Sequence, residues 1–392
     1  MTKILLISRC PPYPLHLGDR LIIWHLAREL SQRGHTLDLL AYTQFESDHP
    51  EIEYYQQFFR RIQLLDEPKR TQLDYLKRLL LPRLRFPQTQ QQAWSSDMWQ
   101  AIENNFLAHN DYDIVHIFGG VQVYEFAHLL QHVPTIITPY ESYSLYLKRA
   151  IDQHGGILNR INRFVARQYE KWMFAPYAVT VVLTEQDREE LLAINPALAV
   201  EVIPNGIDLD FFQMESRERD EATLLFVGNY DYEPNRDAAR LLAETIFPAI
   251  QQQVPAAKLQ IVGNAPPPEL QAFASVHIDI TGRVADVRPY LSQATVFVCP
   301  LRVGAGIKNK VLEALAMGLP TVATPLSVDG IAVEHNDSVL VAPIDNIASE
   351  TVRLLRDRPL QTQLSQSGQR VITTQYSWSS VTDRYLNLYT NA

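Results

Sequence analysis

The sequence predicts an α/β protein built from two doubly wound parallel sheets. Three observations lead there: thirteen short β-branched or leucine-rich runs, amphipathic stretches between them, and one polar break that divides the runs into two series. Runs that are apolar at nearly every position suit strands buried on both faces, as in a parallel sheet covered by helices. With 392 residues, 46% of them hydrophobic and 20% charged, the chain can form two such cores.

The first series comprises KILLISR (3–9), TLDLLAY (36–42), RIQLLD (61–66), DIVHIFG (113–119), PTIITPY (134–140), AVTVVLT (178–184) and VEVIPNG (200–206). TLLFVGN (223–229), KLQIVGN (258–264), VHIDITG (276–282), ATVFVCP (294–300), TVATPL (321–326) and SVLVAP (338–343) form the second. A polar, charged stretch follows VIPNG, which places a linker at about 205–222.

Composition also excludes. A formal charge of −9 argues against nucleic acid as the partner, since phosphate neutralisation needs a basic surface. Cys10 and Cys299 lie far apart without C-x-x-C spacing, so they suggest core residues and neither a zinc site nor a disulfide framework. The opening MTKILLISRCPPYP carries only a short apolar run before Arg9 and prolines, and it suggests a first strand, not a signal peptide. No stretch approaches the roughly 18 apolar residues of a spanning helix. A cytoplasmic protein, peripheral at most to the inner face of the cell membrane, is the expectation. The D-x-D strings at Asp111–Asp113 and Asp208–Asp210 sit before a strand and in the linker, where they suit turns and caps, so no metal site is expected.

Open parallel sheets bind ligands beyond the carboxyl ends of their strands. That rule selects Pro12 to Arg20 after the first strand, Gly18, Asp19 and Arg20 among them, then Phe118 to Gly120, then Tyr140 and Glu141. In the second half it selects Gly228 to Arg236, Asn229 among them, then Gly263 and Asn264, then Gly282 to Asp286 with Arg283 and Val284, and the segment after Pro300. That segment reads R-V-G-A-G-I-K-N-K-V-L-E-A-L-A-M-G (302–318). Gly304, Ala305 and Gly306 permit close backbone approach, and a helix is expected to begin near Ile307 or Lys308, where free N–H groups favour an anion. Lys308 and Lys310 add mobile cations. Glu313, one turn after Lys310, can accept both hydroxyls of a ribose through charge-assisted bonds worth about 1.5–3 kcal/mol each. Glycine amides, lysines and a carboxylate together describe a nucleoside diphosphate site. Two other readings stay open: an exposed Lys310/Glu313 pair worth a few tenths of a kcal/mol, and a dinucleotide loop that lacks its third glycine, with Asn309 in that place.

Four stretches occur in order: VIPNGIDLDFF (202–212), LLFVGNYDYEPNRDAARLL (224–242), DITGRVADVRPYLSQATVFVCPL (279–301) and KVLEALAMGLPTVAT (310–324). Their combination resembles the retaining glycosyltransferases of family 4, nearest the branch associated with bacterial exopolysaccharide biosynthesis. The resemblance covers nearly the whole chain and is stronger in its second half. It implies the GT-B fold, two Rossmann-like domains facing a central cleft: an acceptor-side domain at 1–205, a nucleotide-sugar domain at 206–375, and a closing helix at 376–392 that crosses back to the first domain. Carried across, Glu313 matches the ribose-binding glutamate, Gly282-Arg283-Val284 the turn that reads the base, and Gly18 the loop that closes on the donor phosphates.

Departures from the family pattern are equally specific. Ala305 stands where the family carries a second glutamate, and Asn229 where its basic pair begins. Phosphate neutralisation then falls to Lys310 first and Arg236 second, with Lys308 and Arg20 as further candidates. His116 reads either as the catalytic histidine or as a satisfied core histidine, the other register placing Phe118 or Gly119 at the site. Glu141 is a candidate polar contact. The implied reaction is transfer of a hexose, with retention, from a UDP- or GDP-sugar to a glycan or lipid-linked acceptor, with no metal or other cofactor required. A nucleotide-sugar 2-epimerase-like enzyme and a non-catalytic nucleotide-sugar-binding subunit are the alternatives.

Residues 68–85 carry six cations (Lys69, Arg70, Lys77, Arg78, Arg83, Arg85) against Asp74, with leucines 73, 76, 79 and 80 at helical spacing. This pattern fits a helix lying on an anionic membrane surface. It equally fits an ordinary amphipathic helix whose leucines face the core.

Overall fold

The computed structural model describes all residues except 16–17, 109–110, 121, 214–220, 305 and 392; of residues 72, 79, 82, 83, 153 and 154 only the backbone is described. The chain divides into two compact units, Met1–Pro204 with Val381–Ala392, and Asn205–Ser380.

Unit 1 is a seven-stranded sheet of β1 (Lys3–Ser8), β2 (Thr36–Thr43), β3 (Arg61–Asp66), β4 (Ile114–Phe118), β5 (Thr135–Tyr140), β6 (Val179–Val182) and β7 (Val200–Val202). Its order is β3-β2-β1-β4-β5-β6-β7 with every pair parallel. Ile4 is paired with Leu37 on one side and Ile114 on the other, so the direction of winding reverses between β1 and β4. Central strands β1 and β4 are buried along almost their whole length, which is why their sequences show no alternation. Helix α1 (Gly18–Gln32) leads to β2 and buries Ile22, Leu26 and Leu30, a stripe at four-residue spacing. From Val381 onward the last helix (Trp378–Asn391) belongs to unit 1, where Tyr385 and Tyr389 pack on His116 of β4.

Unit 2 holds β8 (Thr223–Val227), β9 (Lys258–Val262), β10 (Ile278–Gly282), β11 (Val296–Cys299), β12 (Thr321–Ala323) and β13 (Leu340–Val341), ordered β10-β9-β8-β11-β12-β13 and again all parallel. Here the winding reverses between β8 and β11. Each of the thirteen apolar runs read from the sequence coincides with one of these strands, β2 extending one residue beyond its run.

The basic segment 68–85 folds differently from a uniformly solvated cationic stripe. Arg78 is buried, 2.8 Å from Glu125 and stacked 4.2 Å from the Trp94 ring centroid. Arg70 lies over the same ring and bonds Glu67 at 2.8 Å. Arg85 stacks on Trp172. These cations hold the segment to unit 1, while Leu73, Leu76 and Leu80 face solvent, not the core. No helix among the described residues is long and apolar enough to cross a membrane.

Candidate active site

Beside the reversal in unit 2, the chain leaves β11 and enters helix α2 (Asn309–Ala316), capped by Lys308. Gly304 and Gly306 take φ of 131° and 64°, conformations open to glycine and costly for side chains. Gly318 closes the helix at φ 62°, with the Leu319 amide donating to the Ala314 carbonyl at 2.9 Å. Val311, Leu312, Ala314, Leu315 and Ala316 are all buried, so within the helix only Asn309, Lys310 and Glu313 keep solvent contact.

Lys310 and Glu313 do not form the exposed pair that their spacing allows. The Lys310 ammonium donates to Asn235 Oδ1 and sits 4.7 Å from the centroid of the Phe226 ring on β8. Asn235 is itself buried and donates through Nδ2 to the Asn229 carbonyl at 2.8 Å. Asn229 Oδ1 in turn accepts from Asn264 at 3.2 Å, so one polar network spans the ends of β8 and β9 and the start of α2. Burial pushes the Lys310 ammonium pKa down. Glu313 has no ion pair or side-chain hydrogen bond among the described residues. Burial pushes its carboxyl up to about 7, against the pull of nearby Lys310. A partly exposed carboxylate in that condition lacks hydrogen-bond donors, and ligand hydroxyls can supply them.

The carboxyl ends of β8, β9 and β10 close ranks beside this helix. A Cβ on Gly263 would lie 1.8 Å from the Gly228 carbonyl oxygen, so the two loops touch backbone to backbone. The Gly263 amide donates to the Gly282 carbonyl at 3.1 Å, and Gly282 turns at φ 71° before exposed Arg283 and half-buried Val284. Arg236 is exposed in the first turn of the helix Glu233–Leu241. Gly228, Asn229, Gly282, Arg283, Val284, Gly304, Gly306, Ile307, Lys310 and Glu313 thus all lie at the carboxyl edge of one sheet. Ala305 lies outside the described residues.

Three sequence candidates are corrected. Lys308 is buried and bonds the Gly306 carbonyl, so it braces the loop and is not a mobile cation. Arg20 is completely buried in unit 1, paired with Asp48 at 2.6 Å and bonded to Gln44 and the Tyr13 carbonyl. It holds the α1 entry to the segment after β2 and has no face for a phosphate. His116 is completely buried, with Nδ1 2.6 Å from the Tyr389 hydroxyl and Nε2 2.7 Å from Thr138 Oγ1. Burial pushes its pKa down to about 3, so the core reading applies and no proton exchange with a substrate follows.

At the carboxyl edge of the unit 1 sheet the structure groups different residues. Asp19 pairs with Arg9 at 2.7 Å and accepts the Arg20 amide, while the Tyr140 hydroxyl donates to the Asp19 carbonyl at 3.4 Å. A Cβ on Gly119 would meet the Arg9 side chain at 2.7 Å, so glycine there makes room for arginine. Gly18 opens α1, and half-buried Glu141 follows Tyr140, whose φ is 71°. Sequence reasoning passed over Arg9 and the bracing role of Asn235, and it marked Asn264 only by its position after a strand. Position after a strand could have marked Arg9, whereas the asparagine network joins residues distant in sequence and carries no local pattern.

The family described as Glycosyltransferase Family 4 matches residues 21–211, and that described as Glycosyl transferases group 1 matches residues 221–357. The chain belongs to the family 4 glycosyltransferases. Among its relatives, a phosphatidyl-myo-inositol mannosyltransferase of Mycolicibacterium smegmatis is 26% identical, over 72% of each chain. A GDP-mannose-dependent alpha-(1-6)-phosphatidylinositol monomannoside mannosyltransferase of Mycobacterium tuberculosis is 29% identical, over 48% of this glycosyltransferase and 55% of the relative. The solved structure of sucrose-phosphate synthase from Thermosynechococcus elongatus superposes with a TM-score of 0.75 at 19% identity, covering 100% of this chain and 99% of that one. That likeness is one of fold, and the glycosyltransferase has the GT-B fold.

Proposed function

We propose that this glycosyltransferase transfers a hexose from a nucleoside diphosphate sugar, with retention at the anomeric carbon, to a glycan or lipid-linked acceptor in cell-surface polysaccharide synthesis. The observation that carries the reading is the Glu313 carboxylate, raised in pKa and without a side-chain hydrogen bond among the described residues, on the same helix as an ammonium held by Asn235 and Phe226. Glu313 accepts the two ribose hydroxyls. Lys310, with exposed Arg236, offsets charge on the diphosphate as it leaves, and such electrostatic stabilisation is the main work of this chemistry. The glycine turns at Gly228, Gly282, Gly304 and Gly306 let backbone approach the donor. Positive side chains can neutralise the diphosphate without a metal ion, so no metal is required in this reading. The GDP-mannose and phosphatidylinositol in the relatives' names support a nucleotide-sugar donor and a lipid-linked acceptor.

Calorimetric titration with GDP- and UDP-sugars, with and without magnesium, tests this. One donor class should bind the wild type in the micromolar range, independently of magnesium, and fail to bind Glu313→Ala, since losing two charge-assisted bonds costs roughly 3–5 kcal/mol. Product analysis then separates transfer from epimerisation. Absence of binding by every nucleotide sugar would overturn the reading.

A further inference from the structure

We propose that a helical hairpin of unit 1 docks on the surface of an anionic lipid leaflet. The hairpin consists of Tyr143–His154 and Ile157–Met173, and it reverses at Gly155 and Gly156 with φ of 65° and 97°. Its second helix opens with Ile157, Leu158, Ile161 and Phe164 exposed by 79%, 66%, 54% and 63%. Ile157, Ile161 and Phe164 follow one another at helical spacing, so the helix presents an apolar stripe to solvent where a soluble helix would turn it inward. Burial sets in only further along, at Ala166, Glu170 and Met173. A run of large apolar side chains in water marks an interaction surface.

Charge selects the occupant. The hairpin carries six cations, Lys148, Arg149, Arg160, Arg163, Arg167 and Lys171, against Asp152 and Glu170. Glu170 is buried and bonds Ser142 and Ser144, so it does not face solvent. Lys148, Arg163 and Arg167 converge on the single carboxylate of Glu190 and exceed its charge. Arg160 and Lys171 are exposed. In a chain of formal charge −9 this is a local cationic island. A symmetric contact between two copies would set those cations against each other. An anionic leaflet accepts them at its headgroups while the apolar side chains enter the acyl boundary. The neighbouring helix Gln72–Leu80, packed against Ile157–Met173, adds exposed Leu73, Leu76 and Leu80.

Sedimentation of the full chain with phosphatidylcholine vesicles, with or without phosphatidylglycerol, provides the test. Binding is expected to the anionic vesicles at low salt, with little to the neutral ones. The Ile161→Ser/Phe164→Ser variant, altered only at exposed positions, should keep the wild-type melting temperature and lose about tenfold or more in partitioning. Arg160→Glu should weaken the anionic binding alone. Equal sedimentation with both vesicle types, or wild-type binding by the double variant, would overturn the proposal. So would a concentration-dependent dimer that the double variant abolishes in place of vesicle binding.

Discussion

Exchanging Glu313 for Gln should make the protein more stable and a poorer binder at once. Burial lifts this carboxyl from its ordinary 4.5 to about 7, and at roughly 1.4 kcal/mol per pH unit that shift bounds the cost of ionising it in the fold at about 3 kcal/mol. Glu313 keeps some solvent contact, so we expect about 1–3 kcal/mol. Between pH 4.5 and 7 the folded chain holds this proton more tightly than the unfolded chain does. Stability therefore falls as pH rises through that window, and the cost is complete above it. Glutamine has nearly the same shape and no charge. The variant should melt a few degrees above the wild type at pH 8.5, at about 2–4 °C per kcal/mol for a unit of this size, and the gap should close toward pH 4.5. Donor affinity should move the other way, falling about 10–100-fold because an amide cannot accept from two hydroxyls as a carboxylate does. In the wild type, affinity should weaken below pH 7 as Glu313 takes up its proton. Melting curves at several pH values, with titration calorimetry on the same samples, read both effects. A variant no more stable at pH 8.5 that binds donor like the wild type would refute the assignment of Glu313.

Further expectations concern the supports of the site and the corrected residues. Asn235→Ala removes the acceptor that holds Lys310 and should lower the transfer rate about tenfold, with Lys310→Met costing roughly 100-fold or more; steady-state kinetics with the bound donor would show it. Gly263→Ala drives a Cβ to within 1.8 Å of the Gly228 carbonyl and should cost more than about 2 kcal/mol, seen as a lowered melting temperature. Arg20→Met leaves Asp48 buried without its cation and should destabilise unit 1 by about 3–5 kcal/mol in chemical denaturation. His116→Gln should lower stability yet leave the pH–rate profile between pH 5.5 and 8 unchanged in shape, because a histidine pushed down to about 3 is neutral throughout; disappearance of an acidic limb would restore it to the reaction.

The strands and their two series were legible in the amino-acid sequence, as were the strand ends at which glycine turns cluster. Each strand is a short local run, and burial on both faces of a parallel sheet leaves its mark in every residue of that run, as in KILLIS and IVHIF. Glycines at 304, 306 and 318 likewise announce backbone turns through their own chemistry, and Lys310 and Glu313 could be placed one turn apart by counting. What those two side chains face could not be counted. Asn235, Phe226 and Asn229 are far from Lys310 in the chain, and only the pairing of β8 with β11 brings their loops to α2 and turns a plausible salt bridge into a held ammonium and a carboxylate without a side-chain partner among the described residues. The same limit explains the corrections. Arginine 20 is charged and histidine 116 polar wherever they lie, but whether either meets a substrate or a core partner depends on Asp48, Thr138 and Tyr389, which tertiary packing supplies. Local pattern decides the element, and long-range packing decides which polar atoms remain for a ligand.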